Sequence, residues 1–228
     1  MEKVSPFLRV SIYNWHFYPR MIDWKIKNRD SISHDNDLKN TINVSILIDL
    51  TTYIEGLLCN IILKILTKKQ TDQNEITKRI TKHLTDTISD LTWSKYNEYF
   101  ALIFGNKIFE ITNDENYKAV NLLFTFRNIL VHANDLKINY FYDKNRNEDY
   151  YSDIPKFNNI INFLREKKLI DWSMSKFKDN DHFNYLIKDN IVDFFYTKSK
   201  DFLKEIFNNL PDDEKTEFKF HFPEYFND

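Results

Sequence analysis

The side chains best placed for chemistry lie between Asn116 and Asp135, where polar groups interrupt a strong helical pattern. Val120, Phe124 and Val131 recur at spacings of four and seven and mark one apolar stripe, and Arg127 falls on it. A guanidinium on such a stripe must find an anionic partner or an anionic ligand. Asn121, Thr125, Asn128 and His132 follow one another at four, three and four, so at about 100° per residue they share a polar seam within roughly 60°. The seam ends in a histidine just where Ala133-Asn134-Asp135 reads as a helix C-terminus. The negative helix end raises an imidazole's pKa, which suits a general acid near neutral pH. The same position also suits a histidine that does no more than cap its own helix. On an ideal helix Arg127 and His132 stand about 140° apart. They meet only if the arginine reaches round, the helix distorts, or two motif helices build one composite groove.

The elements that must position these groups are helical. From Asp37 to Lys68 apolar residues cover more than one face, so this helix is expected to be central, with Asp49 and Glu55 inside its apolar run. A carboxylate there is costly unless it meets a cation, and Arg127 is the obvious one; the alternative is that Glu55 points to solvent. A helix from Glu75 to about Leu91 carries Lys78 and Lys82, with Arg79 and His83, as two adjacent basic rows. Those rows would follow a phosphate backbone, or form an ordinary solvated face. Ser94 is a candidate cap for a helix through Phe104, stopped by Gly105, and Asn113 or Asp114 caps the motif helix. Pro155 opens a helix to about Lys168, and another runs from about His182 to Leu210. Ahead of all this, residues 1–36 read as an aromatic-rich, irregular arm or short hairpin broken by Pro6 and Pro19 and packed on the bundle. Residues 37–228 form the bundle with its C-terminal helical extension. Between the motif and Pro155, Ile138 to Tyr151 reads as a long loop or hairpin whose Tyr140, Tyr142, Arg146 and Tyr150 would wall a substrate. The acidic, aromatic tail from Pro211 to Asp228 is expected to dock back.

Composition agrees with this class and closes off others. Two glycines and five prolines in 228 residues, with 42% hydrophobic residues, argue for long regular elements and a mainly α fold. With glycine only at 56 and 105, no Gly-rich phosphate loop can be built, so P-loop and Rossmann nucleotide sites are excluded. The histidines at 16, 34, 83, 132, 182 and 221 show no HxxxH or HExxH spacing, and one cysteine cannot make a Cys-based zinc site or an internal disulfide. No metal or other cofactor is expected. A net charge of −2 gives no global attraction to polyanions, so nucleic acid would need a local basic patch. No uninterrupted apolar run approaches membrane-spanning length and no signal peptide is evident, so a soluble, cytoplasmic protein without membrane contact is expected.

The run Arg127-Asn128-Ile129-Leu130-Val131-His132 resembles the signature of the HEPN superfamily, in which an arginine, a polar residue, a few mostly apolar residues and a histidine mark a nuclease site. The likeness covers about a dozen residues here, and Glu55 in Tyr-Ile-Glu-Gly-Leu-Leu looks like the acidic residue that such proteins often carry on an earlier helix. The resemblance implies a HEPN-like helical bundle that pairs as a homodimer. It further implies a metal-independent endoribonuclease of a bacterial toxin or antiphage system, with a cognate antitoxin or sensor protein as a further partner. In that scheme Arg127 holds the scissile phosphate of RNA, His132 moves protons, Asn128 orients the histidine or substrate, Glu55 positions Arg127, and Lys78, Arg79 and Lys82 bind the strand. The other reading is a HEPN module without catalysis that dimerises or binds a ligand or partner.

Overall fold

The computed structural model describes residues 17–32, 35–69, 75–88, 92–132, 138–141, 149–152, 155–171, 184, 186–212, 215–216 and 219, the side chains of 67–69, 76–77, 132, 138–141 and 149–152 excepted. Among them the chain is mainly helical. The elements are α1 (Tyr18–Ser31), α2 (Asn36–Lys69), α3 (Glu75–Thr87), α4 (Trp93–Phe104), a single turn α5 (Ile108–Ile111), α6 (Asp114–His132), β1 (Ile138–Phe141), β2 (Asp149–Ser152), α7 (Pro155–Glu166) and α8 (Asp189–Asn208).

Helix α2 is the axis. Asp35 starts it by accepting the backbone N–H of Leu38 at 2.9 Å, the bond an N-cap side chain makes. Ile46, Leu47, Leu50, Tyr53, Ile54, Leu57, Leu58, Ile61 and Ile62 are all buried, so the helix is covered nearly all round, by α1, α3, α4, α6 and α8. Burying each such leucine or isoleucine contributes roughly 1.5–3 kcal/mol, which makes α2 the element whose loss would unfold the rest. By length and composition its stretch from Asn36 to Leu66 could also cross a membrane, but 61% of its most apolar window is buried among the other helices.

The amino-terminal reading needs correction. Residues 18–31 are helix, where an irregular arm was expected; Pro19 sits in the first turn, where its missing N–H costs nothing. Ile22 is buried against α2, and Lys25 donates to Ser45 and Asp49 of that helix. Residues 1–16 lie outside the described residues. Arg29, on the same face as Ile22 and Ile26, is 2% exposed and bonds Asp30 of its own helix and Asp193 of α8 at 2.9 Å, with Asp189 at 3.8 Å. Lys39 and Asn43 of α2 complete the cluster on Asp189. Burial works against Arg29's charge, and the bonds to Asp193 and Asp30 outweigh it, so the guanidinium's pKa ends above its ordinary value.

The other boundaries shift for local reasons. Helix α3 ends at Thr87, before the expected Leu91, with the hydroxyls of Thr85 and Thr87 turned back onto the carbonyls of Thr81 and His83. Thr92, not Ser94, holds the N-cap position of α4, and Gly105 ends that helix at φ +83° as expected of a left-handed cap. Helix α8 starts at Asp189 rather than near His182. The segment after the motif is a hairpin, antiparallel with Ile138 opposite Ser152 and Phe141 opposite Asp149; the side chains expected to wall a substrate lie outside the described residues, as does most of the tail after Pro211.

Candidate functional site

Helix α6 is fixed firmly at its start. Asn113 accepts the backbone N–H of Glu115 at 2.8 Å, as an N-cap does, and Asp114 and Glu115 place negative charge at the positive helix end. Glu205 of α8 reaches across with both carboxylate oxygens, accepting from the Asn113 backbone at 2.9 Å and the Asn116 side chain at 2.8 Å. Glu115 in turn accepts from Lys167, beyond α7, and from Lys198 of α8 at 2.9 Å, which holds its carboxyl down to about 2. Sequence reasoning missed Glu205, because a glutamate on an amphipathic helix carries no mark of the cap it serves 92 residues earlier.

Along α6 the expected faces are only partly realised. Ala119, Val120, Leu123, Phe124 and Phe126 are buried, but Val131 is 45% exposed, so the apolar stripe leaves the core over the last turn. In the polar seam, Asn121 accepts the indole N–H of Trp93 at 3.0 Å, and Trp93 stacks on Phe124 with ring centres 4.2 Å apart. Thr125 donates to the Asn121 carbonyl at 3.1 Å. The first half of the seam therefore serves the joint between α4 and α6.

Arg127 is half-buried. Its Nη1 donates to Asn128 Oδ1 at 3.0 Å, while its Nε is buried with no hydrogen-bond partner among the described residues. Asn128 itself is exposed, and the bond described for it is to the arginine; its expected role toward the histidine concerns a side chain outside the described residues. Glu55, half-buried on α2, stands near enough for Arg127's charge to act on it: burial pushes its carboxyl up, and Arg127 pulls it partway back. The two make no direct ion pair, and no carboxylate of the described residues pairs directly with Arg127. Tyr96 of α4, 3% exposed, lies within electrostatic reach of Glu55 and Cys59; burial first, then those two groups, push its phenol above the ordinary range. Burial likewise raises the Cys59 thiol, which keeps it a poor nucleophile. Tyr96 is a further site residue that sequence reasoning did not find, since an aromatic on a half-apolar helix looks like any core residue.

No protein-family model matches the chain, and no curated protein or solved structure matches it either. The site therefore stands on its own geometry.

The remaining candidates are placed as follows. His132 is the last residue of α6, one turn beyond Asn128, and its side chain lies outside the described residues. Lys78, Arg79 and Lys82 are exposed on α3, with Lys78 at 3.9 Å from Glu75. Helix α3 packs on α2, the helix that carries Glu55.

Proposed function

We propose that the protein is a metal-independent endoribonuclease of the HEPN type, acting in the cytoplasm as a homodimer within a toxin or antiphage system. The observation that carries the reading is Arg127: a guanidinium oriented by Asn128, with a buried Nε that no atom of the described residues accepts and a carboxylate nearby that makes no direct ion pair with it. A phosphate is the ligand whose oxygens match a planar fork of donors. Five residues on, about 7.5 Å along the helix axis, His132 supplies the proton-transfer group. The exposed Val131 between them gives a second copy an apolar contact, and pairing would bring one helix's arginine toward its mate's histidine.

The chemistry follows from these two groups. Arg127 holds the scissile phosphate, and the adjacent ribose 2′-oxygen attacks phosphorus as the bond to the 5′-oxygen breaks. Making the attack intramolecular can account for about 7–11 kcal/mol of barrier. His132, alone or with its dimer mate, takes the 2′ proton or protonates the leaving 5′-oxygen, a contribution of roughly 10²–10⁴-fold. Arg127 stabilises the charge that builds on the non-bridging oxygens. Lys78, Arg79 and Lys82 are assigned to the flanking backbone, where their contribution falls with salt.

The test is cleavage of end-labelled RNA by wild type, Arg127→Ala and His132→Ala. Cleavage should yield 2′,3′-cyclic phosphate and 5′-hydroxyl ends, survive EDTA and disappear in both variants. A single 2′-deoxyribose at the scissile position should block that cut. Cutting at the deoxy position, or activity that chelator removes and magnesium restores, would refute the mechanism. Binding of intact RNA that depends on Arg127 but never leads to cleavage would identify the non-catalytic module instead.

A further inference from the structure

A second place in the fold holds a buried hydroxyl without a partner among the described residues. Between the start of α1, the middle of α2 and the middle of α8 lies a cleft of about 260 Å³, remote in its residues from the arginine site. Ser199 of α8 lines it and is 2% exposed, yet its hydroxyl has no hydrogen-bond partner among the described residues. A serine inside a helix ordinarily bonds back to a carbonyl three or four residues earlier; this one is left with its donor and acceptor unspent.

The groups around it specify a ligand. Arg20 and Lys200 stand exposed at the rim, Lys200 held with Nζ 5.4 Å over the Tyr196 ring. Arg20 has no anionic partner among the described residues. The carboxylate facing them is Asp23, which accepts the Tyr196 hydroxyl at 2.5 Å. Among the described lining residues, two cations and one anion leave a surplus of one positive charge, which a monoanion balances and a dianion exceeds. The deeper wall is apolar, made by Ile22, Leu50 and Leu203, each at most 2% exposed, with Tyr53 beside them.

We infer that this cleft binds a small carboxylic acid with a compact apolar body, such as a monocyclic aromatic acid. Arg20 and Lys200 meet its carboxylate, Ser199 supplies the neutral hydrogen bond, and the α1–α2–α8 wall takes the ring. Pockets of this kind, mostly apolar with a few convergent polar groups, are the usual form of small-molecule sites. The inference is independent of the ribonuclease reading, and its test uses no RNA.

The full-length chain is titrated by calorimetry and ligand-detected NMR with benzoate, with its neutral isostere benzamide, with phenyl phosphate and with acetate. Benzoate should bind most tightly of the four: benzamide lacks the charge, acetate the ring, and phenyl phosphate carries more charge than the rim balances. Arg20→Gln with Lys200→Gln removes two exposed cations and should weaken benzoate about tenfold or more while leaving the circular dichroism spectrum unchanged. Ser199→Ala, which keeps the packing, should weaken it several-fold. Failure of wild type to bind benzoate, equal affinity for benzamide or acetate, or undiminished binding by the double variant would each overturn the assignment. Tighter binding of phenyl phosphate would overturn the carboxylate class in favour of phosphate monoesters.

Discussion

Arg29 and Arg127 make a matched pair on which the whole reading of the site can be tested. Both lie on the apolar stripe of a helix, yet Arg29 meets three carboxylates while Arg127 meets a neighbouring amide and an acid it does not touch. Arg29→Ala strips Asp30 and Asp193 of their cation, leaves Asp189 with Lys39 as its cation, and opens a void between α1, α2 and α8. Breaking a buried pair costs about 3–5 kcal/mol, and the lower end applies because the stranded acids are partly exposed and can hydrate. In a domain of this size about 3 kcal/mol lowers the melting temperature by roughly 6–12 °C. Arg127→Ala removes one hydrogen bond to an exposed residue and the Coulombic support of Glu55, so it should cost about 1 kcal/mol, roughly 2–4 °C. Thermal and urea unfolding followed by circular dichroism measure both, beside RNA cleavage for Arg127→Ala. The pH dependence gives an internal check. Burial alone would raise Asp189, but Lys39, Asn43 and Arg29 together hold its carboxyl below the ordinary 3.8. A depressed acid contributes stability above its unfolded pKa and loses it as pH falls through the folded value. The deficit of Arg29→Ala should therefore shrink on acidification below the ordinary carboxylate range. A collapse of Arg127→Ala as large as that of Arg29→Ala would mean that Arg127 is a structural partner of Glu55, and the ligand-seeking role would be refuted.

Three further outcomes are expected. Glu205→Ala removes both acceptors from the start of α6 and should cost about 2 kcal/mol, read as a lower urea midpoint with an unchanged slope; an unchanged midpoint would show that water replaces the carboxylate without loss. Glu115→Gln should destabilise at neutral pH by no more than about 1 kcal/mol, since the ion pairs are solvent-screened. With the carboxyl held at about 2 against 4.5, that difference is fully present above the ordinary value and fades as pH falls toward the lower one, so melts of both proteins should converge in acid. Gly105→Ala meets no atom within 4 Å but must hold φ near +83°, which costs about 1 kcal/mol; Gly105→Asn, which tolerates that conformation better, should recover part of the lost melting temperature.

What the sequence revealed, and what it concealed, follows from where each signal resides. Long helices announced themselves by periodicity: α2, α6 and α7 begin within about two residues of the expected starts, and Gly105 marked the end of α4 by its chemistry alone. Helix α1 was hidden because Pro19 and a run of aromatics read as extended structure, although Ile22, Ile26 and Arg29 have helical spacing. Once α1 is read as irregular, Arg29 loses the stripe that would have singled it out. Partners distant in sequence were not legible at all. The polar residues Glu205, Tyr96 and Ser199 gain their meaning from elements folded against them, and nothing in their own neighbourhoods distinguishes them from solvated or core positions.

The signal of an arginine on an apolar stripe thus occurs twice, and only tertiary structure separates its two meanings. Arg29 is satisfied by carboxylates and belongs to the core, whereas half-buried Arg127 meets no carboxylate directly among the described residues, which is what supports the proposed ligand-binding role. Helix α6 shows how the protein can carry such an arginine. Its first turn is tied by Glu205 and Glu115 to α8 and to Lys167 just past α7, and its apolar residues from Ala119 to Phe126 are buried. Beyond Arg127 the helix leaves the core, with Asn128 exposed, Ile129 and Leu130 half-buried and Val131 exposed. The stability that anchors the helix is concentrated at the end away from the motif. Under the proposed function, the last turn would present polar groups to a phosphate and an apolar edge to a second copy at the end of the helix that contributes least to the core.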